Sequence, residues 1–201
     1  MKTDVIVVSS KGRQMEKALL QAEKTAAYKG LSPKSALHLR LLTEETMGLL
    51  RSITGETEGQ FWIEDRGGVF EVHLLVETRL TSLKREKLLE VSSSGKNESA
   101  KGLMGRIRDF FDQGADLDVT GLTSPLLLAG AYEHSSTAIL DWEWSMARYE
   151  DELSTRVERR EEDALEAWDE LEKSVVAHVA DDVKVSIRGP RVDMIILKKM
   201  A

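Results

Sequence analysis

Cysteine is absent from the 201 residues, which excludes disulfides, thiolate metal sites and cysteine nucleophiles. Proline occurs only three times, and this scarcity argues against long unstructured linkers. Long apolar runs are also missing, because VIVV near the N-terminus has only four residues and PLLLAGA is too short to cross a bilayer. We therefore expect a single folded domain, residues 1–201, that resides in the cytoplasm.

Basic residues are outnumbered by acidic ones, with a formal net charge of −7 and a pI near 5.3. A nucleic-acid surface needs a concentrated basic face, so this balance disfavours nucleic-acid binding. Residues 141–173 hold thirteen acids and five bases, so one segment carries the imbalance. No membrane association is predicted either.

The same acidic segment shows helical steps of three or four apolar positions and holds Trp142, Trp144 and Trp168. The simplest interpretation is that these tryptophans anchor a core. The alternative is an interface, because tryptophans are enriched among interface hot spots and large exposed apolar patches are rare on monomers. This acidic, tryptophan-bearing helix therefore predicts a protein partner or self-association.

Alternating and helical patterns define the remaining elements. Residues 4–10 read as a strand, and a helix then runs to Gly30. Ser32 as N-cap and Pro33 at the first helical position begin a second helix. Two extended segments around Arg66-Gly67-Gly68 form a hairpin, and residues 182–199 form another around Gly189-Pro190.

Between the hairpins we expect a polar loop, a helix near residues 103–111 and a helical insertion at about 122–180. Thr155 and Glu158 fit a capping box, so the long acidic helix can also be two helices. The predicted fold class is α+β, a two-layer α/β sandwich. Its mixed, mostly antiparallel sheet has helices on one face and carries the long acidic insertion.

The order of these elements and the stretch LLTEETMGLL, residues 41–50, resemble the histidine-kinase-like ATPase superfamily, the Bergerat fold, and within it the anti-sigma-factor serine kinases. The resemblance covers residues 4–112 and accommodates the closing hairpin. It implies that Glu45 is the general base. It also implies a magnesium-binding asparagine four residues later, where this chain has Leu49. Leucine cannot ligate a hard cation, so Mg²⁺ binding is not expected.

The resemblance implies two further parts of a nucleotide-binding site. The acid that contacts adenine falls at Glu77, where no glycine follows. The phosphate-covering loop falls at KNESAKGLMG, with Lys101, Gly102 and Gly105 as its cofactor-binding residues. ATP is thus a candidate cofactor, while a solvated helix edge, a strand end and an ordinary helix entry remain alternatives for these residues.

The four histidines, His38, His73, His134 and His178, lack partners at metal-ligand spacing, so no metal site is predicted. Two functions remain open. One is a non-catalytic or weakly nucleotide-binding regulatory module that interacts with proteins. The other is an active ATP-binding serine kinase or ATPase of the anti-sigma type. The missing magnesium ligand favours the non-enzymatic interpretation.

Overall fold

The computed structural model describes residues 1–9, 13–54, 58–77, 142–188 and 191–200. In chain order the elements are β1 (Ile6–Ser9), α1 (Arg13–Lys29), α2 (Pro33–Thr54), β2 (Glu58–Arg66), β3 (Val69–Glu77), β4 (Trp142–Ser145), α3 (Met146–Glu158), α4 (Glu162–Glu172), α5 (Val175–Val179), β5 (Asp182–Arg188) and β6 (Arg191–Lys199). This part of the chain is an α+β domain, as predicted.

The six described strands form one sheet in the order β1-β2-β3-β6-β5-β4. Every pairing among them is antiparallel, so the expected mixed sheet is not what these strands form. The reason lies in the connections: β2–β3 and β5–β6 are hairpins, and each hairpin reverses the chain. Two helices separate β1 from β2, and a tight turn at Gly30, with φ of 62°, reverses the chain between them.

One face of the sheet carries the core. Phe61 and Ile63 of β2 are buried, whereas Trp62 and Glu64 beside them are only half-buried. The register brings the buried apolar strand side chains to the same face: Val8, Phe61, Ile63, Phe70, Val72, Leu74, Val76, Val183, Val185, Val192, Met194 and Ile196. The buried side chains of the described helices join them in a single cluster, so the helices pack on this face.

The opposite side, which we call the far face, alternates with the core positions. It carries Trp62, His73, Leu75, Ile195 and Leu197. His73 is only 5% exposed, because Trp62 and Ile195 flank it on the neighbouring strands.

Helix α1 ends, and helix α2 begins, where the sequence predicts. The Ser32 hydroxyl accepts a hydrogen bond from the Ser35 amide, at 3.2 Å, and Pro33 opens α2. Alanines 18, 22 and 26 of α1 are buried, and these small side chains allow α1 to lie close to its neighbours. On α2, Leu39, Leu42, Met47 and Leu50 are buried in the core, whereas Leu37 is exposed.

The acidic insertion differs from the prediction of one or two helices. Its described part holds β4 followed by three helices, α3, α4 and α5. Thr155 is not a cap, because it lies inside α3 and its hydroxyl donates to the Asp151 carbonyl at 3.1 Å. The first break falls at Arg159–Glu161, where Arg160 adopts a left-handed φ of 59°.

Placing all three tryptophans on the acidic helix was wrong. Trp142 and Trp144 belong to β4, which pairs with β5 in antiparallel fashion. Their spacing of two is a strand period, and the backbone of β4 finds its hydrogen-bond partners in β5. Trp144 is half-buried against the core, with its ring centroid 6.0 Å from that of Tyr149. Only Trp168 lies on an acidic helix, α4.

A search of the described helices for a membrane-spanning segment finds none that is long and apolar enough.

Candidate functional site

Glu45 lies in the middle of α2 and is half-buried. Burial raises the pKa of its carboxyl, and the neighbouring Glu44 raises it further. A carboxyl with a raised pKa can accept and return a proton nearer neutral pH than an ordinary glutamate. Glu45 therefore has the electrostatic character of a general base.

Leu49 follows one turn later on the same helix. Positions 45 and 49 are one helical turn apart, so the resemblance expects both of them to serve the same ligand. Leu49 offers no oxygen to a cation. The magnesium ligand that the resemblance implies is therefore missing from position 49, and the role of Glu45 as a base stays a prediction.

Glu77 ends β3 and is exposed. Its Oε1 accepts a hydrogen bond from Nε of Arg191, the first residue of β6, at 3.2 Å. An exposed ion pair of this kind is worth little and is easily exchanged. The carboxyl of Glu45 is thus next to another acid, Glu44, whereas the carboxylate of Glu77 is paired with a base, Arg191.

The remaining predicted residues of the nucleotide site, Lys101, Gly102 and Gly105, lie outside the described residues. The predicted helix near residues 103–111 lies outside them as well. Of the expected constellation, the structure therefore describes only the α2 and β3 parts.

A shallow cleft of about 520 Å³ lies between the N-terminal segment and α1. Lys2, Lys17 and Lys24 line it together with the exposed side chains of Leu20 and Tyr28. Neither Glu45 nor Glu77 is among the described residues that line it. Asp4 lines the cleft as well, so the lining carries charges of both signs.

The surface of α3 and α4 has the opposite charge. Residues 146–173 hold eleven acids and five bases, a net charge of −6. Arg156 ties the two helices together, because its guanidinium contacts Glu161 at 2.7 Å and Asp163 at 2.5 Å. The same contact lowers the pKa of Asp163, so that carboxyl stays ionised. These ion pairs link the two helices of this acidic surface, which we call the α3–α4 surface.

An apolar position interrupts the acids of α4. Leu165 is 45% exposed. Glu162 and Asp169, its neighbours one turn before and after on the same helix, are exposed as well. Trp168, one turn on from Leu165, is half-buried, and its indole nitrogen donates to Glu172 at 2.9 Å. A leucine and a tryptophan framed by acids form a surface that can take both apolar and cationic groups.

The far face holds a cluster that the sequence analysis missed. Glu64, Glu71 and His73 come together because β2 and β3 pair across the Gly67-Gly68 turn, which puts Glu64 opposite Glu71. Sequence spacing alone does not join residues 64 and 73. The signal was nevertheless present, since a two-residue hairpin turn determines which residues lie opposite each other.

Comparison of the chain with protein-family models, with curated proteins and with solved structures gives no match.

Proposed function

We propose that this chain is a non-catalytic regulatory module that binds a protein partner, built on the histidine-kinase-like ATPase fold. The observation that carries the interaction is the α3–α4 surface, where exposed Leu165 stands among exposed acids. The resemblance in element order and in residues 41–50 supports the fold assignment. Fold by itself does not determine function, so the interaction is argued from the surface.

The chemistry of the α3–α4 surface defines the partner. A net charge of −6 over residues 146–173 attracts a basic segment and increases the association rate at low salt. Leu165 and Trp168 provide the apolar contacts from which an interface draws most of its affinity. The partner is thus a basic protein segment with at least one apolar anchor, or a basic region of a second copy.

Affinity capture from cells of the source organism, together with light scattering, tests the interaction. Wild type and Leu165→Asp are compared, with Leu20→Asp as the matched control because Leu20 is an equally exposed leucine, 49%, on α1. A partner or a dimer that is lost with Leu165→Asp and in high salt, but kept with Leu20→Asp, supports the proposal. Identical capture and identical mass for all three proteins refute it.

An ATP-binding serine kinase or ATPase of the anti-sigma type is the second candidate. The specific observation in its favour is the raised pKa of Glu45, which suits a general base. Phosphoryl transfer depends mainly on positioning and on metal-assisted charge stabilisation, however. Leu49 at the metal-ligand position is therefore the main argument against turnover.

Calorimetry with ATP and Mg²⁺ separates the two candidates. We expect wild type to show no magnesium-dependent binding, and Leu49→Asn to gain it, since asparagine supplies the missing oxygen ligand. Gly48→Asn, one position earlier on α2, is the control that adds the same side chain on another face. Tight ATP binding by wild type that is lost in Glu45→Ala would favour the enzyme instead.

A further inference from the structure

The far face of the β2–β3 hairpin holds Glu64, Glu71 and His73, which we call the hairpin cluster. Nε2 of His73 lies 3.0 Å from Oε2 of Glu71, and one ligand-capable atom from each of the three residues lies within 4.8 Å of the others. Their side chains are 18%, 12% and 6% exposed, respectively. Three potential metal ligands are therefore gathered in a largely desolvated place.

Trp62 holds the cluster in position. It lies opposite His73 on the neighbouring strand, and the two rings stack with centroids 4.7 Å apart and planes 8° from parallel. Its indole nitrogen also donates to Oε1 of Glu64, at 2.9 Å. One tryptophan thus orients both the imidazole and a carboxylate before anything binds, which lowers the entropic cost of coordination.

His73 carries a polar atom that the described residues do not satisfy. Its Nδ1 is buried and has no hydrogen-bond partner among them. Burying a polar nitrogen without a partner opposes folding, and such groups in native proteins call for an explanation. The other ring nitrogen, Nε2, is the one that lies against Glu71, so it is the imidazole atom that the hairpin cluster offers to an ion.

We propose that the hairpin cluster binds a divalent transition-metal ion, with Zn²⁺ as the ion that fits best. Zinc takes imidazole nitrogen and carboxylate oxygen at about 2.0–2.2 Å, and tetrahedral geometry then separates two such ligands by roughly 3.3 Å. The His73–Glu71 distance of 3.0 Å is close to that separation. Mg²⁺ and Ca²⁺ prefer all-oxygen sites, so the imidazole selects against them.

Two side-chain cations neutralise the carboxylates when no ion is bound. Lys2 Nζ lies 3.3 Å from Glu64, and the Arg66 guanidinium lies 3.1 Å from Glu64 and 3.2 Å from Glu71. Both cations are more than half exposed, at 51% and 64%, so they can turn into solvent. The metal ion competes with them for the same oxygens, and removing Arg66 should strengthen metal binding.

Titration calorimetry with zinc chloride tests the site, using the full chain without a histidine tag in a buffer that does not bind metals. We expect one ion per chain. Glu71→Gln and His73→Gln should each weaken binding by about tenfold or more, whereas Arg66→Ala should tighten it. His178→Gln and Glu58→Gln remove an exposed histidine and an exposed glutamate elsewhere, and both should bind like wild type.

The absence of zinc binding by wild type overturns the proposal, and so does binding that survives in both Glu71→Gln and His73→Gln. Weaker binding in Arg66→Ala would also overturn it, because arginine would then support the ion rather than compete with it. If circular dichroism shows that His73→Gln is misfolded, Glu71→Gln and Arg66→Ala decide, since they change more exposed side chains. Cobalt provides a second readout, because a tetrahedral Co²⁺ site gives visible absorption that Glu71→Gln should lose.

Discussion

Glu64 shows how a single residue on the far face responds to its neighbours. The hydrogen bond from Trp62 lowers its pKa from 4.5 to about 2, with further help from Lys2 and Arg66. Between these two values the unfolded chain takes up a proton that the folded chain does not. Glu64 therefore stabilises the fold above pH 4.5, and this stabilisation is lost as the pH falls towards 2.

Urea unfolding between pH 2 and 7 measures this effect. The free energy of unfolding of Glu64→Gln should fall below that of wild type at pH 7, and the gap should close as the solution becomes acidic. Glu58→Gln, at an exposed position on the same strand, should show no such trend. A gap for Glu64→Gln that stays constant with pH would contradict the assignment.

Two glycines with different surroundings give a paired prediction. A Cβ added at Gly48 of α2 meets nothing within 4 Å, whereas one added at Gly59 of β2 would lie 3.0 Å from Leu74 Cδ1. Gly48→Ala should therefore stabilise the protein by about 1 kcal/mol, since alanine has the higher helix propensity. Gly59→Ala should destabilise it by about 1–3 kcal/mol through overpacking. Thermal unfolding followed by circular dichroism checks both signs.

The start of α3 depends on a cap shared between two elements. Asp182, the first residue of β5, accepts hydrogen bonds from the Ala147 amide and the Ser145 hydroxyl, each at 3.1 Å. The Ser145 hydroxyl in turn accepts from the Arg148 amide, at 3.5 Å. The first turn of the helix is thus satisfied by a side chain that lies 35 residues away from Ala147 in sequence.

Removing this cap should cost about 1–2 kcal/mol of stability, the usual range for a helix N-cap. In denaturant titrations, Asp182→Ala should lose most of this stabilisation. Asp182→Asn should lose less, because its amide oxygen can still accept the hydrogen bonds. Asp151→Ala, at an exposed position in the middle of α3, is the control. Equal stabilities for Asp182→Ala and Asp151→Ala would show that the cap contributes nothing.

Elements that rest on local signals were predictable, and those that rest on pairing were not. Ser32-Pro33 and the Gly67-Gly68 turn determine α2 and the first hairpin from a few neighbouring residues. In contrast, WEWS precedes a helical pattern without a break, and only pairing with β5 makes it a strand. The nucleotide prediction for Glu45 and Glu77 stays a prediction, and the hairpin cluster required strand register, which residue-by-residue spacing does not contain.

At the scale of the whole molecule, the two residues that flank residues 78–141, Glu77 and Trp142, lie at the same end of the strands of the sheet. Glu77 pairs with Arg191, Arg191 with Arg188, and Trp142 with Ile187, so β3 ends within one residue of the level at which β4 begins. Strands β6 and β5 lie between them. Three inter-strand steps of about 4.8 Å place the two ends roughly 14 Å apart.

A ten-residue Gly/Ser linker, with a root-mean-square length of about 17 Å, can span that gap. Replacing residues 78–141 with this linker should therefore leave the described sheet folded, because the described strands and helices already share one core cluster on the helix-covered face. A cooperative thermal transition and a dispersed NMR spectrum would support this expectation. A two-residue linker, too short for the gap, is the control that should fail, and failure of both would mean that residues 78–141 are required for the core.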